Sequence, residues 1–286
     1  MFSLTLKNKN DQFITLTDRE TEYQVVNIEG LNPPPAQLNM TPIAGMDGAR
    51  FNSSKLDTRN IVITVKINGD VPYNRQEIYR IARTKEVITI YFKNERFDVF
   101  AVGYVETLEC DLFSDAEYAQ ISIICMDPYF KDILESVFDI SNQVALFQFP
   151  FAIDYDDPVP FSEYIAGRES VVTNNSESET GCLVTVSFSK NISQFVIRET
   201  DTGDQITLNY NFKKNDVLYI NTNKGEKSVT LLRNGNLTNI FTALASGSVF
   251  FQLEPGPNTF TFSADSGTND QYVSVIITFN RRFRGV

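Results

Sequence analysis

The stretch AEYAQISIICMDPYFKD, residues 116–132, decides the fold of the first half of the chain. Every second residue within it is small or apolar, at Ala119, Ile121, Ile123 and Cys125. This period of two predicts a β-strand whose two faces meet different environments. Pro128 ends the strand, because proline has no N–H to donate to a neighbouring strand. We therefore predict a strand that closes one domain and leads into a second.

Upstream of this stretch, short alternating runs predict further strands at residues 2–7, 12–16, 23–28, 37–43, 61–67, 88–93 and 97–110. One helix of roughly ten residues is predicted from Asn74, the expected N-cap, with Glu77 as its capping-box partner. Gly103 is expected to mark a bulge or bend in the longest strand, which lets that strand serve a curved sheet. Residues 1–132 are therefore predicted to form a mostly antiparallel β-domain with one helix.

The segment AGMDGARFNSSKLD, residues 44–57, differs from the strands around it. It contains two glycines, several small polar residues and the basic–aromatic pair Arg50 and Phe51. This composition predicts an exposed arm or loop.

In the second half, residues 133–160 are irregular and rich in proline and phenylalanine. We interpret them as a connector that docks on the second domain, since exposing Phe147, Phe149, Phe151 and Phe161 would be costly. Strands are then predicted at residues 182–188, 194–199, 205–210, 216–221, 227–233, 248–254, 258–264 and 272–279. Such regular spacing is typical of a β-sandwich or jelly roll, which we assign to residues 161–286.

Composition excludes several classes of function. The net charge of −11 argues against a nucleic-acid-binding protein, and the absence of histidine excludes His-dependent triads and common zinc sites. The three cysteines are expected to be buried thiols. The N-terminus lacks a signal-peptide pattern and no run is apolar enough to span a membrane. We therefore expect a soluble protein made in a reducing cytoplasm, with no membrane insertion.

No catalytic site, metal site or cofactor is predicted. Asp154, Asp156 and Asp157 could hold calcium, but Pro158 favours a solvated turn. The charged residues Arg198, Glu199, Asp201 and Asp204 are expected at the exposed end of a hairpin. The alternative function is a carbohydrate-binding adhesion module that recognises a host cell-wall glycan, with Tyr164, Tyr210 and Tyr219 as candidate contacts.

The order of these features resembles the distal tail proteins of siphophages and related prophages. The resemblance rests on residues 45–67, 73–86, 88–109 and 120–132 in the first half, and on 203–210, 216–229 and 248–264 in the second. In that family a strand ending in Cys-x-Asp-Pro before Tyr or Phe commonly closes the first domain, as Cys125–Phe130 does here. The segment Glu254–Asn258 is the most specific piece of the second half.

The resemblance implies a mainly β fold. It implies an N-terminal β-sandwich-like domain with one α-helix and an extended β-arm, followed by a galectin-like or jelly-roll β-sandwich. It also implies a hexameric ring at the distal end of the virion tail, made in the host cytoplasm, with a central channel for DNA passage. The implied partners are the tail tube protein, a tail-associated hub, lysin or tape-measure protein, and a receptor-binding or fibre protein. Host cell-wall saccharide is a further possible partner, whereas sequence-specific nucleic acid is not expected.

Two sets of residues are the candidate sites of assembly under this resemblance. The ring-interface arm contains Met46, Asp47, Arg50, Phe51 and Lys55. The arm is expected to pair with an open sheet edge of a neighbouring subunit. The domain junction contains Asp127, Pro128, Tyr129 and Phe130, which are expected to set the direction in which the second domain projects.

Overall fold

The computed structural model describes residues 2–112, 116–141, 143–145, 162–164 and 169–286. They form two compact units, one from Met1–Ile133 with Arg282–Val286 and the other from Leu134–Arg281. The last five residues, assigned to the C-terminal domain from sequence, thus belong to the first unit, where Phe283 and Val286 pack against its core. The final strand alternates without a turn signal, so its sequence gives no sign of this return.

The first unit contains ten strands and one α-helix among its described residues. They are β1 Ser3–Asn8, β2 Phe13–Thr17, β3 Tyr23–Glu29, β4 Ala36–Pro42, β5 Ala49–Leu56, β6 Arg59–Ile67, α1 Val71–Ile81, β7 Val87–Lys93, β8 Asp98–Cys110, β9 Tyr118–Cys125 and the start of β10 Phe130–Asp139.

Seven of these strands close into a β-barrel. The order is β8-β7-β1-β2-β3-β6-β9, and β9 returns to β8. All described pairings in this ring are antiparallel except that of β2 with β3, which rests on Thr17 opposite Gln24. The predicted face of β9 is confirmed, since Ala119, Ile121, Ile123 and Cys125 are fully buried. The predicted mainly β fold with one α-helix is likewise confirmed.

The predicted start of the helix is wrong. Asp70 is the N-cap and its carboxylate accepts a hydrogen bond from the Tyr73 backbone N–H at 3.3 Å. Asn74 is buried within the helix, where its amide donates to the Asn68 carbonyl at 2.8 Å. Pro72 in the first turn explains the earlier start, because its fixed φ suits that position and its missing N–H has no helical partner there.

The bulge that was one of the two features predicted at Gly103 lies elsewhere in β8. The register of β8 against β9 shifts between Val105 and Thr107, beyond the glycine. A Cβ atom on Gly103 would lie 2.7 Å from a side-chain carbon of Ile123 and 2.9 Å from Sγ of Cys125. The glycine is therefore required by close packing against β9, while the bulge lies closer to the end of β8.

Nine of the described strands of the second unit form a sandwich of two sheets. The strands of this unit are β11 Gln143–Ala145, β12 Ser162–Tyr164, β13 Ser170–Asn174, β14 Leu183–Phe188, β15 Ile192–Glu199, β16 Gln205–Phe212, β17 Val217–Asn221, β18 Ser228–Arg233, β19 Asn236–Asn239, β20 Gly256–Ala264 and β21 Val273–Phe283, with the end of β10. One sheet has the order β19-β18-β17-β14-β21 and the other β13-β20-β15-β16. Their facing side chains form one apolar core.

The strand predicted at residues 248–254 is wrong. This segment makes a single bridge, between Leu253 and Thr180. Phe251 and Leu253 are buried in the core, which explains the alternation in the sequence, but no neighbouring strand runs beside the segment.

Of the predicted connector, residues 133–139 lie in β10, and β11 pairs with β12. The aspartates at 154, 156 and 157 and the phenylalanines at 147, 149, 151 and 161 lie outside the described residues.

Glu199 was expected to be exposed and is instead 2% exposed. Burial raises its pKa, although the Thr202 hydroxyl opposes this by donating a hydrogen bond to the carboxylate at 2.7 Å. A raised carboxyl pKa gives stability that is present below the unfolded pKa and is lost as pH rises through the folded pKa.

We therefore expect Glu199→Gln to raise the free energy of unfolding at pH 7 by up to roughly 1 kcal/mol and to give no gain below the ordinary carboxyl pKa. Urea denaturation of both proteins across pH 3.5–7.5, roughly the range over which a raised carboxyl pKa titrates, measures this. The exposed Glu226→Gln is the control. A variant that is less stable than the parent at pH 7 would contradict the prediction.

Candidate interaction site

The predicted arm is a two-stranded β-hairpin that stands apart from the barrel sheet. Strands β4 and β5 pair from Ala36 opposite Leu56 to Pro42 opposite Ala49. Every residue of the two strands is exposed except Leu56, which is half-buried. The arm therefore begins at Ala36, earlier than the predicted residue 44, because β4 is its first strand. An isolated hairpin is at best marginally stable in water, so this one needs further packing.

The two faces of this hairpin differ in chemistry. Directly opposite residues share a face, and Met40 lies opposite Phe51 while Thr41 lies opposite Arg50. The apolar face, which we define by its residues, contains Ala36, Leu38, Met40, Pro42, Ala49, Phe51 and Leu56 around Ser54. The polar face contains Gln37, Asn39, Thr41, Arg50, Ser53 and Lys55. The hairpin is therefore amphipathic, although neither face is covered.

Three large side chains of the apolar face are more than half exposed. The exposed fractions are 55% for Leu38, 53% for Met40 and 58% for Phe51. At the turn, Ile43 and Met46 are exposed by 45% and 68%. Contiguous apolar surface of this kind on a soluble protein marks a site of protein association.

The candidate arm residues separate into three places. Phe51 lies on the apolar face, and Arg50 and Lys55 lie on the polar face. Met46 and Asp47 lie in the turn between the strands. The sequence pattern thus identified the exposed segment but not its two faces. The two faces depend on the pairing register of β4 and β5, which shifts by one residue between Asn39 and Met40.

The base of the hairpin is held by Arg59, a residue that the sequence reasoning missed. Arg59 is 1% exposed, and its guanidinium donates to the carbonyls of Pro128 at 2.8 Å and Asn32 at 2.8 Å. It also donates to the carbonyls of Gly30 and Arg284. The guanidinium lies 4.4 Å from the ring centroid of Phe130. The Arg59 side chain therefore links three segments of the first unit. They are the segment before the hairpin, the segment that follows β9, and the C-terminal residues.

The electrostatics of Arg59 follow from this burial. Burial lowers its pKa, and the nearby Cys125 and Asp127 oppose that shift. Arginine still remains protonated at any physiological pH. A signal for this residue exists in the sequence, because Arg59 continues the inward positions Ile61, Ile63 and Val65 of β6. A cation at an inward position of a strand indicates a buried network of hydrogen bonds.

Gly30 makes one of these hydrogen bonds possible. Its φ is +87°, and a Cβ atom there would lie 2.0 Å from the carbonyl oxygen of Asn60. No other residue can bring the backbone this close to β6. The chain can therefore turn at Gly30 into the arm while its carbonyl faces Arg59.

The residues of the predicted domain junction lie together around two arginines. Asp127 forms ion pairs with Lys131 at 3.0 Å and with Arg282 at 3.5 Å. The Arg282 guanidinium also lies 5.4 Å from the Tyr129 ring centroid. Phe130 is fully buried against Arg59, and Pro128 contributes its carbonyl to the same side chain. All four residues are thus anchored within the first unit, and their effect on the direction of the second remains a prediction.

The three candidate glycan-binding tyrosines do not form a common platform. Tyr210 is half-buried on β16 and lines an open depression of about 640 Å³ with Asn209, Asn211 and Arg233. Tyr219 is half-buried on β17, in the other sheet, between Thr185 and Thr230. The side chain of Tyr164 lies outside the described residues.

Within the described ranges no group of three His, Cys, Asp or Glu residues could hold a metal ion. The thiols of Cys125 and Cys182 are buried, and burial raises their pKa to about 11 and about 12. Such thiols are poor nucleophiles, because thiolate is the reactive form. Among the described helices none is long and apolar enough to cross a membrane.

Two family models match the chain. The model of the phage tail protein RIFT-related domain matches residues 5–125, and that of the siphovirus-type tail component, C-terminal domain, matches residues 175–283. The chain belongs to the siphophage distal tail protein family. No curated protein sequence matches it significantly.

Solved structures agree with this family assignment at the level of the fold. The Dit protein (gp 19.1) of phage SPP1, described as a paradigm of the hub adsorption apparatus in phages that infect Gram-positive bacteria, is similar with a TM-score of 0.71. It shares 17% identity over 98% of this chain and 99% of that one. The phage p2 baseplate in its activated conformation, with Ca or with Sr, is similar with a TM-score of 0.53 and 11% identity over 100% of both chains. Together with the matched family models, this fold makes the chain a Dit-like structural component of a phage tail.

Proposed function

We propose that this distal tail protein forms a closed, hexameric ring at the tail tip. In this proposal the ring joins the tail tube to the tail-associated hub or tape-measure protein, surrounds a channel for DNA, and carries receptor-binding or fibre proteins outside. The observation that carries the proposal is the exposed, amphipathic hairpin Ala36–Leu56 on the first unit. In a single copy of a tail component with such a hairpin, the apolar side chains of the hairpin stay exposed to water. Contact with another subunit would cover them.

The energetics of the hairpin support assembly. Burying a Leu, Met or Phe side chain that is otherwise exposed contributes roughly 1.5–3 kcal/mol each. Leu38, Met40 and Phe51 are half exposed, so each can contribute only part of that amount. Together the three side chains contribute roughly 2–5 kcal/mol per contact, which is less than the roughly 4–15 kcal/mol that association costs. The hairpin therefore supports assembly as one part of a larger subunit contact.

The arm has two possible modes of contact, strand pairing and packing through its apolar face. Pairing with an open sheet edge was expected, but the barrel strands of the first unit have neighbours on both sides, with a thin seam only between β2 and β3. A closed barrel has few free N–H and C=O groups to offer to an added strand. Packing through the apolar face of the hairpin is therefore the better-supported contact.

The composition and the arrangement of the tyrosines support a structural role over the glycan-binding alternative. Glycan-binding sites need an aromatic surface that stacks on a sugar ring, and Tyr210 and Tyr219 lie on different sheets of the second unit. Among the described residues, the depression beside Tyr210 is the place that best fits the alternative.

Light scattering of the purified chain after size exclusion separates the two functions. Our proposal expects a hexamer of 32.4 kDa chains. The alternative expects a monomer that binds cell-wall glycan, with binding lost in Tyr210→Ala. A monomer at every concentration tested, with glycan binding that depends on Tyr210, would overturn the ring and support the alternative.

A further inference from the structure

We propose that the free edge of strand β19 in the second unit binds an extended segment of another tail protein as an added β-strand. This inference rests on the proposed role of the chain as a carrier of receptor-binding or fibre proteins, and it does not depend on the ring. The binding surface, which we call the β19 edge, consists of the outward backbone groups of Leu237 and Asn239 with the side chains of Leu237, Phe241 and Val249.

The pairing of β18 with β19 shows which backbone groups are free. A two-residue turn at 234–235 joins the strands, and the N–H of Ile240 donates to the carbonyl of Val229 at 2.9 Å. Hydrogen-bonded pairs alternate with unbonded pairs along an antiparallel ladder. The N–H and C=O groups of Leu237 and Asn239 therefore point away from β18, and no described residue bonds to them.

The fold covers the edge of the opposite sheet and leaves this one open. Along β16, the N–H of Ala245 donates to the carbonyl of Thr207 at 2.9 Å, and the N–H of Val249 donates to that of Gln205 at 2.8 Å. Exposed edges are commonly protected by charged side chains, proline or a bulge. Strand β19 has the sequence Asn-Leu-Thr-Asn and pairs with β18 without a register shift, so it has none of these. An unprotected edge beside a covered one favours a binding role.

The surface around the edge has the composition of an interface centre. Residues 234–253 contain no Asp, Glu, Lys or Arg, and this is the longest such run in the chain. Within it, Leu237, Phe241 and Val249 are exposed by 64%, 43% and 45%. The Phe241 ring stacks on that of Phe250, with the centroids 5.8 Å apart. Because interface centres are depleted in charge and enriched in aromatic residues, the edge offers side-chain contacts as well as backbone bonds.

The backbone chemistry of the edge identifies its occupant as an extended polypeptide. The free donor–acceptor pairs of Leu237 and Asn239 are two residues apart, about 7 Å, which is the repeat of an extended chain. Side chains of the added strand would alternate between the two faces of the sheet. Leu237 lies opposite Leu232 on one face, so an apolar residue of the added strand is expected beside them.

Lys227 adds a requirement for charge at one end of this segment. Its exposed ammonium lies 5.3 Å from the centroid of the Phe250 ring, which in turn stacks on Phe241 just beyond β19. It forms no ion pair with any described residue. An acidic residue of the partner at that end would pair with it. The expected segment is therefore uncharged along β19 and acidic next to Phe241.

A second copy of this chain is not the expected occupant. Two copies that paired β19 with β19 would use the same surface on both sides, which is an isologous contact. Neighbours in the proposed cyclic ring meet through two different surfaces instead. In the ring, the β19 edge of every subunit is therefore left for a different tail protein.

Residue-resolved amide exchange tests strand addition in two states of the protein. In the purified chain, the N–H groups of Leu237 and Asn239 are expected to exchange at least about tenfold faster than those of Thr238 and Ile240, which bond to β18. In tails assembled from the coexpressed tail genes of the phage, exchange at Leu237 and Asn239 is expected to slow by about 100-fold. Unchanged exchange in the tails, or slow exchange already in the purified chain at any concentration, would overturn strand addition by a partner.

Edge variants test whether the partner depends on this surface. Leu237→Lys is expected to lower the amount of one outer protein per copy of this chain in purified tails by about tenfold or more, because a charge on the edge opposes strand pairing. Leu237→Pro removes the outward N–H and is expected to act alike. Ser187→Lys, an exposed change on β14 away from the edge, is the control and should leave the composition of the tails unchanged.

Two outcomes separate this inference from the proposed function. Tails of full composition with both Leu237 variants would overturn the β19 edge as the binding site, while the carrier role would stand. Wild-type tails in which cross-linking mass spectrometry finds no outer protein next to this chain would overturn the carrier role itself.

Discussion

Replacing Arg59 with methionine is expected to lower the free energy of unfolding of the first unit by about 3–5 kcal/mol. The guanidinium donates to the carbonyls of Gly30, Asn32, Pro128 and Arg284, and each would lose its buried donor. Methionine would fill much of the volume, so the loss would report the hydrogen bonds and the stacking on Phe130 rather than a cavity.

Hydrogen exchange followed by mass spectrometry measures this effect within the first unit. Peptides from β6 and β9 should exchange faster in the variant, while peptides from β14 and β17 in the second unit should not change. Arg83→Met, at an exposed position after the helix, is the control and should change the free energy by less than about 0.5 kcal/mol. Unchanged protection of β6 and β9 in the Arg59 variant would contradict the role that we assign to this residue.

Deleting the hairpin is expected to abolish assembly and leave a soluble, folded chain. The backbone N–H of Asp57 donates to the carbonyl of Pro35 at 3.1 Å, so residues 35 and 57 are already neighbours. A short glycine linker can therefore replace residues 36–56 without disturbing the barrel. The exposed hairpin side chains make no contribution to the barrel core, so the thermal stability should change little.

Sedimentation velocity and circular dichroism together measure this outcome. The deleted chain should sediment as a monomer with the β-sheet spectrum of the parent. The matched control keeps the hairpin and changes its polar face, with Thr41→Ser and Ser53→Thr, and should assemble like the parent. Rings formed by the deleted chain would show that the first unit assembles through another surface.

The sequence predicted the parts of this fold that depend on local pattern. The inward face of β9 and the exit at Pro128 follow from alternation and from the chemistry of proline, and both hold in the structure. The sequence also indicated that the arm is exposed, because its glycines and small polar residues cannot build a core.

Features that depend on distant partners could not be predicted in the same way. The partners of Arg59 lie at residues 30, 32, 128 and 284, and no local pattern joins them. The amphipathic nature of the hairpin depends on the register between β4 and β5, which a one-residue shift changes. Phe251 and Leu253 alternate like a strand but are buried without one, since burial alone produces the same pattern.

The central claim is that copies of this distal tail protein join through the hairpin into a closed ring. Negative-stain electron microscopy of the purified, full-length chain tests this claim most directly. We predict class averages of a ring with a central hole and six repeated subunits, absent when residues 36–56 are deleted. Particles of single subunits from the full-length chain, or open filaments in place of rings, would contradict it.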